Sequence, residues 1–233
     1  MLTLQNVSVS VGNKEILHSI SHSFQKGKIH VLVGPNGSGK STLAYAVMGH
    51  PRYITKGKIF FNKKLISSLP THERALRGVF ITHQVPLPLS GVSLLQLIRA
   101  TQNNVKEILA VRNQVEKFAT ELRIDPSLLQ RSLHEGASGG ERKKLEVLQA
   151  FCFPTEFIIF DEVDTGVDVD ELKRIFTFIK KHLAGKTALF ITHNPRFSKY
   201  LKPHTVSVME GGRLIKTGGQ EILINMANRG FQK

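Results

Sequence analysis

The chain has 233 residues, enough to bury a sizeable core, and its 41% apolar content is that of an ordinary globular domain. Its 32 Lys and Arg against 18 Asp and Glu give a formal charge of +14, which suits nucleic acid, an anionic membrane surface or an acidic protein partner and chooses none of them. The single cysteine, Cys152, excludes an internal disulfide and a thiolate metal cage, and its place between Phe151 and Phe153 predicts a small buried hydrophobe.

No apolar stretch reaches the roughly 18 residues that a membrane span needs. The amino terminus, Met1-Leu2-Thr3-Leu4-Gln5, shows no basic region followed by an apolar core, so a cytosolic protein without direct membrane insertion is expected. No run of Lys and Arg exceeds Arg142-Lys143-Lys144, aromatic residues are not interleaved with basic ones, and no nucleic-acid module is recognisable. Direct nucleic-acid binding is therefore not expected.

In chain order, apolar patterning predicts strands over 3–9, 15–24 and 29–33. Directly after the third comes Gly34-Pro35-Asn36-Gly37-Ser38-Gly39-Lys40-Ser41-Thr42, followed by the helix-favouring Leu43-Ala44-Tyr45-Ala46-Val47-Met48 up to about Gly49. Strand, glycine-rich loop and helix in this order make a phosphate cradle. Gly34, Gly37 and Gly39 let successive backbone N–H groups turn inward, and the new helix adds the positive end of its dipole. Lys40 can reach the β and γ phosphates of a nucleotide, and the Ser41 hydroxyl is the expected magnesium ligand.

A strand is predicted over 58–61 and another over 79–81, the latter ending at Thr82-His83-Gln84. Val85-Pro86-Leu87-Pro88-Leu89 is broken by proline and should not continue regular pairing. From 92 to 130 the spacing is helical, with Leu94, Leu95 and Ile98, then Val105, Ile108, Leu109, Val115 and Phe118, on apolar faces. The second half alternates a strand over 157–160, a helix over 168–183, a strand over 187–191, and strands over 206–209 and 214–216 around a Gly211-Gly212 turn. Such alternation implies a parallel sheet covered on both faces.

Asp161 and Glu162 stand where Phe157-Ile158-Ile159-Phe160 emerges, the carboxyl edge at which open α/β sheets bind ligands. Asp161 is placed to hold magnesium through water, and Glu162 to orient or deprotonate an attacking water. For the neighbouring Asp164 and Asp168 a helix cap competes with any functional role. Phe190-Ile191-Thr192-His193 brings a histidine to the same edge.

Taken together, the loop at Gly34, Gln84, Ser138-Gly139-Gly140-Glu141, the Asp161-Glu162 pair and His193 resemble, in order, the motifs of ATP-binding cassette ATPases, and the resemblance covers nearly the whole chain. It implies a P-loop α/β fold with a mostly parallel sheet, an amino-terminal antiparallel β part and a helical subdomain. Residues 1–83 and 152–233 would form the nucleotide-binding core and 84–151 the helical subdomain with the signature. It further implies hydrolysis of ATP with Mg²⁺. Lys40, Gln84, Glu162 and His193 would be catalytic, Ser41, Gln84 and Asp161 would serve the metal, and Ser138, Gly139 and Gly140 would close over the nucleotide of a second cassette in an ATP-dependent dimer.

Finer stretches are similar to SufC, the ATPase of iron–sulfur cluster assembly. These are Asp161-Glu162-Val163-Asp164-Thr165-Gly166-Val167-Asp168, Pro88-Leu89-Ser90-Gly91-Val92-Ser93 and Leu201-Lys202-Pro203-His204-Thr205-Val206-Ser207-Val208. That likeness implies scaffold partners of the SufB/SufD kind. Ser8-Val9-Ser10-Val11-Gly12 also lacks the aromatic residue that transporter cassettes commonly stack on adenine, so weak adenine discrimination is expected. Departures are Ala137 in place of a bulky residue, Thr82-His83 before Gln84, and Asn194-Pro195 after the histidine. A transporter cassette coupled to a membrane permease is the alternative.

Overall fold

The apolar stretches 157–161 and 187–191 become two five-residue strands in which every residue is buried, β9 (Phe157–Asp161) and β10 (Thr187–Ile191). Burial on both faces is what their unbroken apolar runs require. The computed structural model describes residues 1–86, 88–100, 105–194 and 199–229, with only the backbone described at 105–108 and 229. These divide into two compact units: unit 1, comprising 1–81, 155–163 and 183–233, and unit 2, comprising 82–154 and 164–182.

Unit 1 contains two sheets. The first is antiparallel, ordered β2-β1-β4-β5, from β1 (Leu2–Val11), β2 (Lys14–Phe24), β4 (Ile54–Phe61) and the two-residue β5 (Lys64–Leu65). The second is ordered β12-β11-β3-β10-β9-β6, with β3 (Ile29–Val33), β6 (Val79–Thr82), β11 (Thr205–Glu210) and β12 (Arg213–Gly218). In it β3, β9, β10 and β11 run parallel and β12 returns antiparallel to β11. Helix α1 (Lys40–Met48) contributes Leu43, Ala44, Ala46 and Val47 to a buried cluster that also takes Leu2, Leu4 and Leu17 from the first sheet and Phe157 and Leu189 from the second. Each such large apolar side chain contributes about 1.5–3 kcal/mol by leaving water. A short helix, α2 (Thr71–Leu76), completes the middle of this unit, and α7 (Glu221–Arg229) its carboxyl end.

Unit 2 is mainly helical. Its elements are β7 (Leu89–Ser93), α3 (Leu94–Arg99), α4 (Val105–Leu122), a 3-10 turn (Pro126–Leu129), β8 (Ser132–Leu133), α5 (Gly139–Cys152) and α6 (Val169–His182). Phe118, Phe151 and Phe178 bind α4, α5 and α6 together edge to face, with ring centroids 5.1 and 5.4 Å from that of Phe178. Cys152 is buried as expected, and burial pushes its thiol up to about 12.

Three expectations need correction. Residues from Leu89 do resume pairing: β7 joins β8 through Leu89 opposite Leu133 and Ser93 opposite Ser132, because the two prolines precede the paired segment. Helix therefore starts at Leu94, where Ser93 forms a capping box with Gln96, and not at Val92. Leu109 is 58% exposed and does not belong to the buried face, whereas Val115 and Phe118 do. Val105 and Ile108 lie outside the residues whose side chains are described.

Among the described residues no helix is long and apolar enough to cross a membrane.

Candidate functional site

Strand register decides which residues meet in unit 1. Asp161 lies opposite Ile191, and Ile191 opposite Leu32, so the carboxyl ends of β9, β10 and β3 are level. The next residues of each strand, Glu162, Thr192-His193 and Val33-Gly34, therefore emerge at one edge.

The loop leaving β3 requires glycine at its first position. A Cβ on Gly34 would run into the Met209 carbonyl and lie 2.9 Å from Ser38 Oγ. Gly39, at φ +102°, caps α1 with no acidic residue in the first helical turn, so the positive helix end stays unneutralised. Inside the loop, Lys40 Nζ donates to the carbonyls of Gly34 and Pro35, both at 2.9 Å. Lys40 is 5% exposed; burial pulls its ammonium below the usual lysine range while Glu162 and Asp161 act in the opposite direction. Ser41 Oγ donates to Asp161 Oδ1 at 3.2 Å.

Asp161 and Glu162 are buried, at 1% and 7% exposure. Glu162 adopts φ +51°, the left-handed region that a residue with a side chain enters at a cost, and its N–H donates to the Ile191 carbonyl at 3.0 Å. His193 Nδ1 lies 3.4 Å from Glu162 Oε1, so the two groups are neighbours with the histidine half exposed. Asp168 takes the capping role: its Oδ1 accepts from the N–H groups of Asp170 and Glu171 at 2.9 and 2.8 Å.

These groups fit a nucleotide with magnesium. A buried cation, an unneutralised helix start, a hydroxyl beside a carboxylate, and Ser38 Oγ, buried without a hydrogen-bond partner among the described residues, suit phosphate oxygens and a hard oxygen-seeking cation.

One brace escaped the sequence reading. The Gly211-Gly212 turn between β11 and β12 does more than reverse the chain: Gly212 N donates to Ser38 O and its own carbonyl accepts from His18 N, both at 3.0 Å. A Gly-Gly pair signals a turn but not what the turn touches.

Gln84, Ser138, Gly139 and Gly140 belong to unit 2. Gln84 is exposed, and Ser138 and Gly139 are exposed at the start of α5. Ser138 Oγ accepts from Glu141 N at 3.3 Å while Glu141 Oε2 accepts from Ser138 N at 2.8 Å, a capping box whose donors hold the Glu141 carboxyl below its usual range. Gly140 is buried so tightly that a Cβ would collide with the Glu171 carboxylate.

Residues 17–165 match the family model described as "ABC transporter". Similar curated proteins include "Vegetative protein 296" of Bacillus subtilis, 36% identical over 99% of this chain and 91% of that protein. Another is "Probable ATP-dependent transporter slr0075" of Synechocystis, 35% identical over 99% and 94%. Among solved structures, a nucleotide-free ATP-binding cassette from an ABC transporter superposes with a TM-score of 0.79 at 26% identity, over 99% of this chain and 96% of that one. The dimeric post-hydrolysis cassette MJ0796 bound to ADP and Pi shares the fold, with a TM-score of 0.79 at 18% identity, over 94% and 99%. The P-loop, the level strand ends and these likenesses lead to one conclusion: this chain belongs to the ABC transporter family, as an ATP-hydrolysing nucleotide-binding cassette.

Proposed function

We propose that the chain is the ATPase subunit of an iron–sulfur cluster assembly complex of the SufC type, working in the cytosol on scaffold partners of the SufB/SufD kind. The observation that carries this reading is the run Asp161-Glu162-Val163-Asp164-Thr165-Gly166-Val167-Asp168, supported by the stretches 88–93 and 201–208 and by the absence of an aromatic residue over 8–12. With one cysteine, the chain would leave the cluster to its partners.

In this reading Gly34–Thr42 cradles the triphosphate and Lys40 gives up its two carbonyl contacts to reach the β and γ phosphates. Ser41, Asp161 and, as the resemblance implies, Gln84 would hold magnesium, which would supply charge neutralisation at the phosphates. Glu162 orients and deprotonates the attacking water, and His193, beside it, bridges to the γ phosphate. Ser138, Gly139 and Gly140 of a second copy complete each site, with residues 84–151 acting as the helical subdomain that passes the dimer's opening and closing to the scaffold. Catalysis is then positioning and electrostatics, with the barrier lowered chiefly by fixed charges.

A transporter cassette is the second reading, favoured by the names of relatives such as "Probable ATP-dependent transporter slr0075". Tagged protein isolated in parallel from detergent-free lysate and from detergent-treated membranes separates the two. Recovery with soluble scaffold proteins supports the first reading. Recovery only with a detergent-solubilised membrane protein overturns it.

A further inference from the structure

Three segments of unit 2 that are distant in sequence converge on one carboxylate. Glu146, in the second turn of α5, is 6% exposed. Its Oε2 accepts the backbone N–H of His83 at 2.8 Å. Its Oε1 lies 3.0 Å from His134 Nε2 and accepts from Gln149 Nε2 at 3.4 Å. His83 immediately precedes Gln84, and His134, held at φ +65°, stands four residues before Ser138. The start of the glutamine loop, the approach to the signature and the signature helix thus share a single anchor.

The geometry sets which groups donate. An ionised carboxylate has room for several donors, and three are present here. His134 is 3% exposed and its Nδ1 has no hydrogen-bond partner among the described residues. With Nε2 3.0 Å from Glu146 Oε1, the ring is placed to donate its Nε2 proton to the carboxylate.

We propose that Glu146 and His134 are positioning residues that lock the glutamine loop to the signature helix, so that Gln84 and the Ser138–Gly140 tip move as one piece. The proposal rests on the reading that Gln84 serves the nucleotide of its own copy while the tip serves that of the partner. The tie then makes events at one nucleotide felt at the other.

The full chain tests this with His134→Leu, His134→Gln and Glu146→Gln, each measured for nucleotide affinity, for turnover, and for ATP-dependent pairing in the Glu162→Gln background. His134→Leu should keep ATP affinity within about twofold, because the cradle lies in unit 1, while pairing and kcat fall at least about tenfold. His134→Gln can return an N–H to Glu146 and should recover kcat to within about threefold of wild type. Glu146→Gln, which loses one of the two acceptors, should lower kcat with affinity unchanged.

Wild-type pairing and turnover in His134→Leu would overturn the proposal, as would affinity falling in step with turnover, the mark of general loosening. Should His134→Leu fail to fold, the other two variants decide: a low Glu146→Gln beside a near-normal His134→Gln supports the tie, and equal losses in both refute it. A wild-type chain that hydrolyses ATP without ever pairing sinks the proposed function and this inference together. Pairing that the variants leave intact sinks the inference alone.

Discussion

Glu162 combines burial, a left-handed backbone and a histidine neighbour, a set of costs that packing alone does not call for. Glu162→Gln should retain ATP binding and lower kcat by at least about a hundredfold, since the amide keeps the shape but cannot take a proton. Turnover at the wild-type rate would remove Glu162 from its role. A second residue-level prediction concerns His30, 2% exposed in β3, with Nε2 3.2 Å from the Gln25 carbonyl oxygen. Burial, aided by repulsion from His22 and His204, lowers its pKa from 6.5 to about 4. The unfolded chain therefore binds this proton first on acidification. The stability tied to the neutral ring is complete above pH 6.5 and is lost as pH falls toward 4, about 2 kcal/mol of it by pH 5. Urea unfolding at pH 7 and pH 5 should show a loss smaller by that amount in His30→Gln, and equal losses in both proteins would refute the assignment. At this scale the sequence was legible in placing Lys40 and Ser41 at the start of α1 and Asp161 at the end of β9, positions that follow from local spacing. It was silent on Glu146 and His134, because a lone acid and a lone histidine carry no signature until folding brings them to 3.0 Å.

Among the elements, α1 depends on a residue that the chain pattern does not single out. Arg74 of α2 is 2% exposed and donates from Nη1 to the carbonyls of Ala46 and Val47 at 2.9 and 2.8 Å, near the end of α1. Its Nη2 and Nε reach the carbonyls of Ser67 and Leu69 at 2.7 and 2.9 Å. Four carbonyls thus converge on one planar fork, and that of Ala46 accepts from Gly49 N at 3.1 Å as well. Arg74→Met should cost about 3 kcal/mol in urea unfolding, because apolar bulk replaces the side chain while the carbonyls lose their donors. A loss below about 1 kcal/mol would mean that water or neighbouring groups satisfy them. The strands over 29–33 and 187–191 were read with correct limits, since buried parallel strands are written as short, mostly apolar runs. The six-residue α2 and the two-residue β5 and β8 were missed, being too short to show any period.

At the scale of the whole molecule, the charge is segregated. Unit 1 holds 19 Lys and Arg against 7 Asp and Glu, a balance of +12, while unit 2 holds 13 against 11, a balance of +2. Residues 16–72 contain no acidic side chain at all. Exposed lysines such as Lys56, Lys58, Lys63 and Lys64 form no ion pair among the described residues, so like charges repel across unit 1. Raising KCl from about 20 to about 300 mM shortens the screening length severalfold and should raise the Tm of the nucleotide-free protein by several degrees. A Tm that is flat or falls over this range would show that the excess charge is already balanced.

By itself, the sequence determined the phosphate cradle and the carboxylate-bearing strand, and the order of its motifs carried the resemblance to the cassette fold. The first two are demands on backbone conformation or on burial that a few adjacent residues meet on their own. Only the tertiary structure decided that three strand ends stand level, that a Gly-Gly turn braces the loop at Ser38, that Arg74 closes off α1, and that Glu146 gathers His83 and His134. Those contacts join residues that folding alone makes neighbours, and their energy comes from desolvated donors and acceptors finding one another, a condition that no local window of sequence contains.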